Sequence, residues 1–215
     1  MAWFYYLGII FVMRPMLFLL TCYRVSGKAN VPKQGPLIIV ANHLSNVDPP
    51  LLATSLPRRI VFMAKEELFR HPILGPLSRG WRAFPINRDK LDREALRQAD
   101  QVVRQGLALG LFPEGTRSST AKLQQGYTGA ALIALRSGCQ ILPVGISGAE
   151  DFNKLGFVFH RPKVTVNIGK PFTLPVHGGR MTKEQLAPAA DMMMKKIAEL
   201  LPESYRGYYA DREGR

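Results

Sequence analysis

The sequence predicts an α/β fold: a mixed, largely parallel sheet flanked by helices, preceded by an N-terminal membrane-associated helical segment. Three observations carry this expectation. Four continuous apolar runs, PLIIVAN (36–42), RIVFMAK (59–65), LALGLF (107–112) and QILPVGIS (140–147), have the length and composition of strands buried on both faces. Segments of helical spacing lie between them, the alternation expected when crossover helices connect parallel strands. The third is residues 2–23, which are almost wholly apolar apart from Arg14 and Pro15.

In chain order, the N-terminal run comes first. A spanning helix needs about 20 largely apolar residues, and this run only just reaches that length. An arginine near the bilayer centre costs about 3 kcal/mol or more, and proline removes a helical hydrogen bond. The expected arrangement is two short helical pieces meeting at Arg14–Pro15 and lying in the membrane interface. Trp3, Phe4, Tyr5 and Tyr6 would then sit at headgroup level, with Arg14 reaching lipid phosphates. A single span and a buried helix are the alternatives. No Lys or Arg precedes the run and no small-residue cleavage site stands out, which argues against a secretory signal.

DPPLLATSLP (48–57) reads as a short helix with Asp48 as its N-cap and Pro49 as its first helical residue. LDREALRQADQVVRQG (91–106) places Leu91, Leu96, Ala99, Val102 and Val103 at helical spacing, closed by Gly106. YTGAALIALRSG (127–138) is an apolar helix stopped by Gly138, and KVTVNIG (163–169) alternates as a further strand. Thr182 and Gln185 are spaced as a capping box, and MMMKKIAELL (192–201) is helical, with Pro188 between them as a breaker. The chain thus divides into an anchoring segment (1–24), one α/β domain (25–201) and a polar, aromatic tail (202–215) expected to be peripheral.

The charge balance narrows the partners. There are 29 Lys+Arg against 16 Asp+Glu, a formal net charge of +13, which draws polyanions: nucleic acid, an anionic membrane or a phosphorylated substrate. No nucleic-acid motif accompanies it. Cys22 and Cys139 lie far apart without CxxC or Cys/His spacing, and the four histidines are scattered. A disulfide framework and a structural zinc site are therefore not expected.

Ligands of such sheets bind beyond the carboxyl ends of the strands, where Asn42–His43, PEGTR (113–117) and SGAED (147–151) fall. In ANHLSNVDPP (41–50), His43 follows a buried strand and Asp48 begins the next helix. With a turn between them, the carboxylate folds back onto the imidazole. Asp48 then fixes the tautomer and stabilises the imidazolium, while the other nitrogen of His43 takes a proton from an incoming hydroxyl. Ser45 is the one hydroxyl inside the motif and lacks a GxSxG setting; neither cysteine has a histidine beside it. Direct attack by a substrate hydroxyl, in a ternary complex, fits this pattern. In RGWRAFPINRDK (79–90), Arg88 is placed to join Arg117 in a forked clamp for a phosphate, whereas Arg79, Arg82 and Lys90 read as solvated or membrane-facing.

NHLSNVD, AFPINR, LFPEGTRSS and ILPVGI, in this order and at these separations, closely resemble the blocks of the glycerolipid acyltransferases. The likeness is greatest to the 1-acyl-sn-glycerol-3-phosphate (lysophosphatidic acid) acyltransferases and covers roughly residues 25 to 175. It implies that His43 and Asp48 form the catalytic dyad and that Arg88 contacts the acceptor phosphate. It also assigns acceptor binding to Glu114, Gly115, Thr116 and Arg117, with Glu114 holding Arg117 or a glycerol hydroxyl. Pro143 falls on the acyl-donor side. One departure is that Gly80 precedes Phe84 by four residues, where family members often carry glycine closer.

The implied reaction moves a fatty acyl group from acyl-CoA or acyl-carrier protein to the sn-2 hydroxyl of lysophosphatidic acid, without a metal or bound cofactor. The implied location is the cytoplasmic face of a membrane, peripheral or with one N-terminal span. Another lysophospholipid, a glycolipid or an amino-lipid as acceptor is the alternative within the class. A non-catalytic basic membrane-binding protein is the distant one.

Overall fold

A computed structural model describes residues 2–72, 74–80, 83–86, 93–154, 156–175 and 182–210. Arg88 and the side chains of Trp3, Phe4, Tyr5 and Tyr6 lie outside that description, as do Arg82, Lys90 and Leu91. In chain order the elements are α1 (Ala2–Leu20), β1 (Arg24–Ser26), β2 (Leu37–Ala41), α2 (Asp48–Ser55), β3 (Ile60–Lys65), α3 (Glu66–Arg70), α4 (Leu74–Gly80) and β4 (Phe84–Ile86). There follow α5 (Arg93–Arg104), β5 (Ala108–Leu111), α6 (Thr128–Ser137), β6 (Gln140–Ser147), α7 (Phe157–His160), β7 (Thr165–Ile168) and α8 (Lys183–Ala198).

The seven strands form one sheet in the order β1-β7-β6-β2-β5-β3-β4. Every junction is parallel except β6–β7. Strand β2 shows why an unbroken apolar run was needed: Ile38 and Val40 join one core cluster, whereas Leu37, Ile39 and Ala41 join the other. Successive side chains of a strand point to opposite faces, and both faces here are covered. α5, α6 and α8 cover one face through Ala99, Ala131, Ile133, Met193 and Ile197. α1 and α2 cover the other through Leu17, Leu51 and Leu52.

The N-terminal segment departs from expectation. It is one helix, α1, running through Pro15 rather than two pieces meeting there. The helix packs on α2 and α4; Leu17 is fully buried, and Ile10 and Met13 pack against the same cluster. Burying such side chains is worth about 1.5–3 kcal/mol each, so Leu17 together with the partly buried Ile10 and Met13 offsets the roughly 3 kcal/mol that an interior proline costs. Arg14 does not point to lipid: its guanidinium donates to the Thr54 carbonyl at the end of α2 (3.4 Å). Among the described residues, no helix is long and apolar enough to cross a membrane.

α8 likewise runs through Pro188, behind the complete Thr182–Gln185 capping box. It buries Leu186, Ala190, Met193, Met194 and Ile197. The tail is not peripheral over its described part. Leu123 donates its main-chain N–H to the Tyr205 carbonyl (2.8 Å) and accepts from Tyr208 (3.0 Å). The Tyr205 hydroxyl accepts from the Gly148 amide (3.2 Å) and donates to Glu150 Oε1 (2.5 Å), so the tail ties together the loops that follow β5 and β6.

Candidate active site

β2 and β5 are adjacent parallel strands and end side by side, with Val40 in register with Leu111. Their carboxyl-end extensions therefore bring residues 42–48 against residues 112–118. β6 flanks β2 on its other side, and Asn42 ties the two together. Its buried side-chain amide donates to the Ile146 carbonyl (2.8 Å) and accepts the Ile146 N–H (2.7 Å). A side chain that reads a main-chain edge in both directions anchors the end of β2 immediately before His43.

Asp48 is not the N-cap of α2. Val47 occupies that position and Asp48 is the first helical residue, with Pro49 second. Its carboxylate has a different task. Oδ2 accepts from the Leu44 N–H (2.6 Å) and the Ser45 N–H (2.8 Å), and lies 2.8 Å from His43 Nδ1. The turn of residues 43–48 thus folds back on itself, as the five-residue spacing required, and Asp48 is fully buried. A negative group in the first helical turn is also favoured by the helix dipole. Oδ1 is buried without a hydrogen bond among the described residues.

The His43 side chain keeps 11% of its surface exposed, so the ring is held in the protein but open on one side. Phe112 stacks on it, centroids 4.2 Å apart and planes 20° apart, and Phe62 lies behind Phe112 at 6.3 Å. Sequence reasoning passed over both phenylalanines and placed Asn42 at the strand end without its tie to Ile146; the one signal for Phe112 is its place at the end of a buried strand before Pro113. Among the described residues, Asp48 is the one hydrogen-bond partner of the imidazole. Ser45 turns elsewhere: its hydroxyl donates to Asn153 Oδ1 (2.9 Å), and Asn153 returns a hydrogen bond to the Leu44 carbonyl (3.2 Å).

Glu114 is 1% exposed. Oε1 accepts the main-chain N–H of His43 (2.9 Å) and Oε2 that of Gln124 (3.0 Å). Burial pushes its carboxyl up to about 7 against the pull of these amides, and the charge of Asp48 adds to the rise. It does not hold Arg117, contrary to expectation. Thr116 and Arg117 are exposed, and among the described residues nothing hydrogen-bonds or ion-pairs with the Arg117 side chain. Gly115 is needed for the turn itself. Its φ of +66° is a conformation that side chains disfavour, and a Cβ there would meet the Tyr127 ring at 2.9 Å. Ser118 closes the loop by donating its N–H to the His43 carbonyl (2.8 Å). Pro143 is buried inside β6, in register with Val40, and its carbonyl accepts from Gly169 (2.9 Å). It stands in the body of the sheet, below the loops that carry the dyad. Among the described residues, no three His, Cys, Asp or Glu side chains converge as a metal site.

The fold and site together define an α/β domain with a partly open histidine braced by a buried aspartate, at the carboxyl edge of a mainly parallel sheet. The family model described as Acyltransferase matches residues 22–147. The chain belongs to that acyltransferase family. It is 28% identical over 179 residues to the 1-acyl-sn-glycerol-3-phosphate acyltransferase of Bacillus subtilis (strain 168), covering 82% of this chain and 87% of the relative. It is 32% identical to the enzyme of that name from Streptococcus pneumoniae, covering 74% of this chain and 61% of the relative. For the Borreliella burgdorferi relative the identity is 30%, over 63% of this chain and 55% of that one. The crystal structure of the 1-acyl-sn-glycerophosphate (LPA) acyltransferase PlsC from Thermotoga maritima superposes with a TM-score of 0.68 at 28% identity. That match covers 87% of this chain and 75% of the PlsC chain.

Proposed function

We propose that the protein transfers a fatty acyl group from acyl-CoA or acyl-carrier protein to the sn-2 hydroxyl of lysophosphatidic acid, yielding phosphatidic acid. The observation that carries this is the His43–Asp48 pair at 2.8 Å, on a ring engaged by no hydroxyl or thiol among the described residues. The names of the relatives supply the substrate class.

In this reading Asp48 accepts a hydrogen bond from Nδ1–H and holds His43 in the tautomer whose Nε2 is a base. Nε2 takes the proton of the sn-2 hydroxyl as its oxygen attacks the thioester carbonyl. The tetrahedral adduct collapses, the carbon–sulfur bond breaks, and the imidazolium protonates the leaving thiolate. Products are phosphatidic acid and free thiol, with His43 restored to its neutral form. The sequence needs neither metal nor bound cofactor. Arg117, exposed beside the site, meets the acceptor phosphate, and Arg88 is assigned the same task by the family resemblance. Pro143 is kept as a donor-side residue by that resemblance alone.

The acceptor and product both reside in membranes, and α1 offers the surface to meet one. Phe11 and Phe18, and Val12 and Leu19, recur at seven-residue spacing and are 65–76% exposed, opposite the buried Leu17. Phe159 on α7 is 86% exposed. The Arg161 guanidinium donates to the Phe18 carbonyl (3.4 Å), so α7 and the end of α1 share one side of the molecule, with Arg24 and Lys163 exposed nearby in sequence. Apolar side chains with a basic surround suit the interface of an anionic membrane. The protein on this reading is peripheral, on the cytoplasmic face.

The test is thiol release from oleoyl-CoA by detergent-purified protein with and without lysophosphatidic acid, products identified by mass. Acceptor-dependent release of phosphatidic acid is expected. His43→Ala should lower it by about 10²–10⁴-fold, the usual worth of general-base assistance, while the protein stays folded. Release at the wild-type rate from that variant sinks the mechanism. Release with a different lyso-acceptor redirects the substrate assignment, and none across acyl-CoA and acyl-carrier-protein donors turns the reading to a non-catalytic membrane binder.

A further inference from the structure

The carboxylate of Glu114 joins three stretches of chain that are far apart in sequence: the end of β2, the end of β5, and the loop that leads into α6. One oxygen takes the His43 main-chain N–H at 2.9 Å and the other takes the Gln124 main-chain N–H at 3.0 Å. Nothing in this arrangement faces outward, since the residue is 1% exposed. The neighbouring Ser118 amide donates to the His43 carbonyl at 2.8 Å. Both main-chain polar groups of His43 are therefore held by the loop after β5, while Asp48 holds the ring and the next two amides, Leu44 and Ser45. Three successive N–H groups of the 43–45 turn are bonded to two buried carboxylates from different elements.

We propose that Glu114 is a positioning residue that sets the place of His43 through its main chain, and that it does not bind the acceptor. This rests on the acyl-transfer reading above and reassigns one residue within it. A buried carboxylate bridging two amides is poorly placed to take a glycerol hydroxyl, because each oxygen already accepts a main-chain N–H and solvent does not reach them. Its contribution to turnover comes from holding the base, where an error of about 1 Å costs on the order of 10²-fold. Burial also lifts its proton affinity toward neutrality, which a site evolved to grip a substrate hydroxyl does not require.

The experiment separates positioning from binding. Glu114→Gln keeps the shape but offers one acceptor oxygen in place of two, so one main-chain N–H loses its partner. In the acyl-CoA assay, kcat should fall by about tenfold or more while the KM for lysophosphatidic acid stays within about twofold. Because Glu114 acts through His43, adding Glu114→Gln to His43→Ala should leave the residual rate unchanged. A raised acceptor KM at unchanged kcat overturns the proposal, and so does a further loss in the double variant.

A second measurement does not depend on Glu114→Gln folding. His43→Ala keeps the main-chain N–H and removes the imidazole's own titration. In that variant the amide resonances of residues 43 and 124 should shift together in NMR as Glu114 titrates near pH 7. Asp48 and Tyr209 are the other titratable side chains that share a field with Glu114. Amides that move independently, or not at all, overturn the proposal. A wild-type protein without acyl transfer refutes the function and leaves this NMR test of the Glu114–His43 link intact.

Discussion

The turn that carries His43 and the loop that carries Arg117 extend from adjacent strands, β2 and β5, yet they are built in opposite ways. In the first, the side chains of Asn42, His43, Ser45 and Asp48 are all buried, each with hydrogen bonds at 2.6–2.9 Å. In the second, Thr116 and Arg117 are exposed, three and four residues after the buried Pro113. The group that must be in one place before chemistry starts is over-determined. The group assigned to a charged, mobile lipid headgroup has no hydrogen-bond or ion-pair partner among the described residues. On the proposed reading, preorganisation is spent on the proton-transfer step, where geometry governs rate, and recognition is left to side chains that can adapt to the acceptor.

If that contrast is right, the largest effects come from the buried side. Asp48→Asn keeps the shape but loses the charge that steadies the imidazolium and the acceptor that fixes the tautomer. A fall in kcat of about 10²–10⁴-fold is expected in the thiol-release assay. It should come with reduced stability to thermal unfolding, because the Leu44 and Ser45 amides both depend on Oδ2. A loss confined to the acceptor KM would break the comparison at its strongest point.

Next in size is a pH effect carried by Glu114. The unfolded chain releases this proton near pH 4.5 and the native protein near 7. Between those values the native state binds more protons, so stability falls as pH rises. The contribution of the shift is fully present below about pH 4.5 and is lost by about pH 7, an amount of about 3 kcal/mol at 1.36 kcal/mol per unit. Urea unfolding from pH 4.5 to 8 should show the wild type losing that much more stability than Glu114→Gln over the window. Equal slopes would mean that Glu114 is ionised at little cost, and that the turn is less tightly desolvated than its burial indicates. Catalysis on the proposed reading prefers the ionised form, which accepts both amides, so the site gives up stability at the pH where it works.

These two carboxylates also show where sequence was informative. His43 and Asp48 were legible because their relation is local: five residues, one turn, one helix start. The strand runs were legible because burial on both faces leaves an unbroken apolar signature. The Arg117 loop was located for the same reason, at the end of such a run. Glu114 was singled out, but its bond to His43 was not foreseen, since it spans 71 residues and no local spacing encodes it. The bracing role of Asn42 was missed because its partner is a main-chain edge 104 residues away. β1 has three residues on a sheet edge, too few for a periodic pattern. The continuity of α1 and α8 through proline depended on packing against the rest of the fold, which offsets a local cost that sequence alone shows in isolation.

On the open side a smaller effect is expected. Arg117→Ala should raise the KM for lysophosphatidic acid by about tenfold or more, the worth of a charge-assisted hydrogen bond of about 1.5–3 kcal/mol. The kcat should change little. Because Arg117 is exposed, unfolding free energy should stay within about 0.5 kcal/mol of wild type. A neutral-headgroup lyso-acceptor, if used at all, should be indifferent to the substitution. A fall in kcat with KM unchanged would mean that this loop is part of the preorganised half after all.

The smallest expected effect tests how redundantly the buried half is braced. Tyr205 lies outside both motif loops, yet its hydroxyl donates to Glu150 at 2.5 Å and accepts from Gly148 at 3.2 Å. Burial, and then the Glu150 carboxylate beside it, push its phenol up to about 12. The loop it holds reaches the dyad turn through Asn153, which contacts both Ser45 and Leu44. Tyr205→Phe keeps the ring packing and removes both hydrogen bonds. It should cost about 1–3 kcal/mol of stability, the range for leaving a buried donor unsatisfied, here the N–H of the buried Gly148. The kcat should move by less than about threefold, because Asp48, Glu114 and Ser118 still hold His43 without that loop. If kcat instead falls in step with stability, the tail and the β6 loop belong to the same cooperative unit as the base. The boundary between rigid and adaptable halves would then run between Ser118 and Arg117 alone, and not between the two sides of the site.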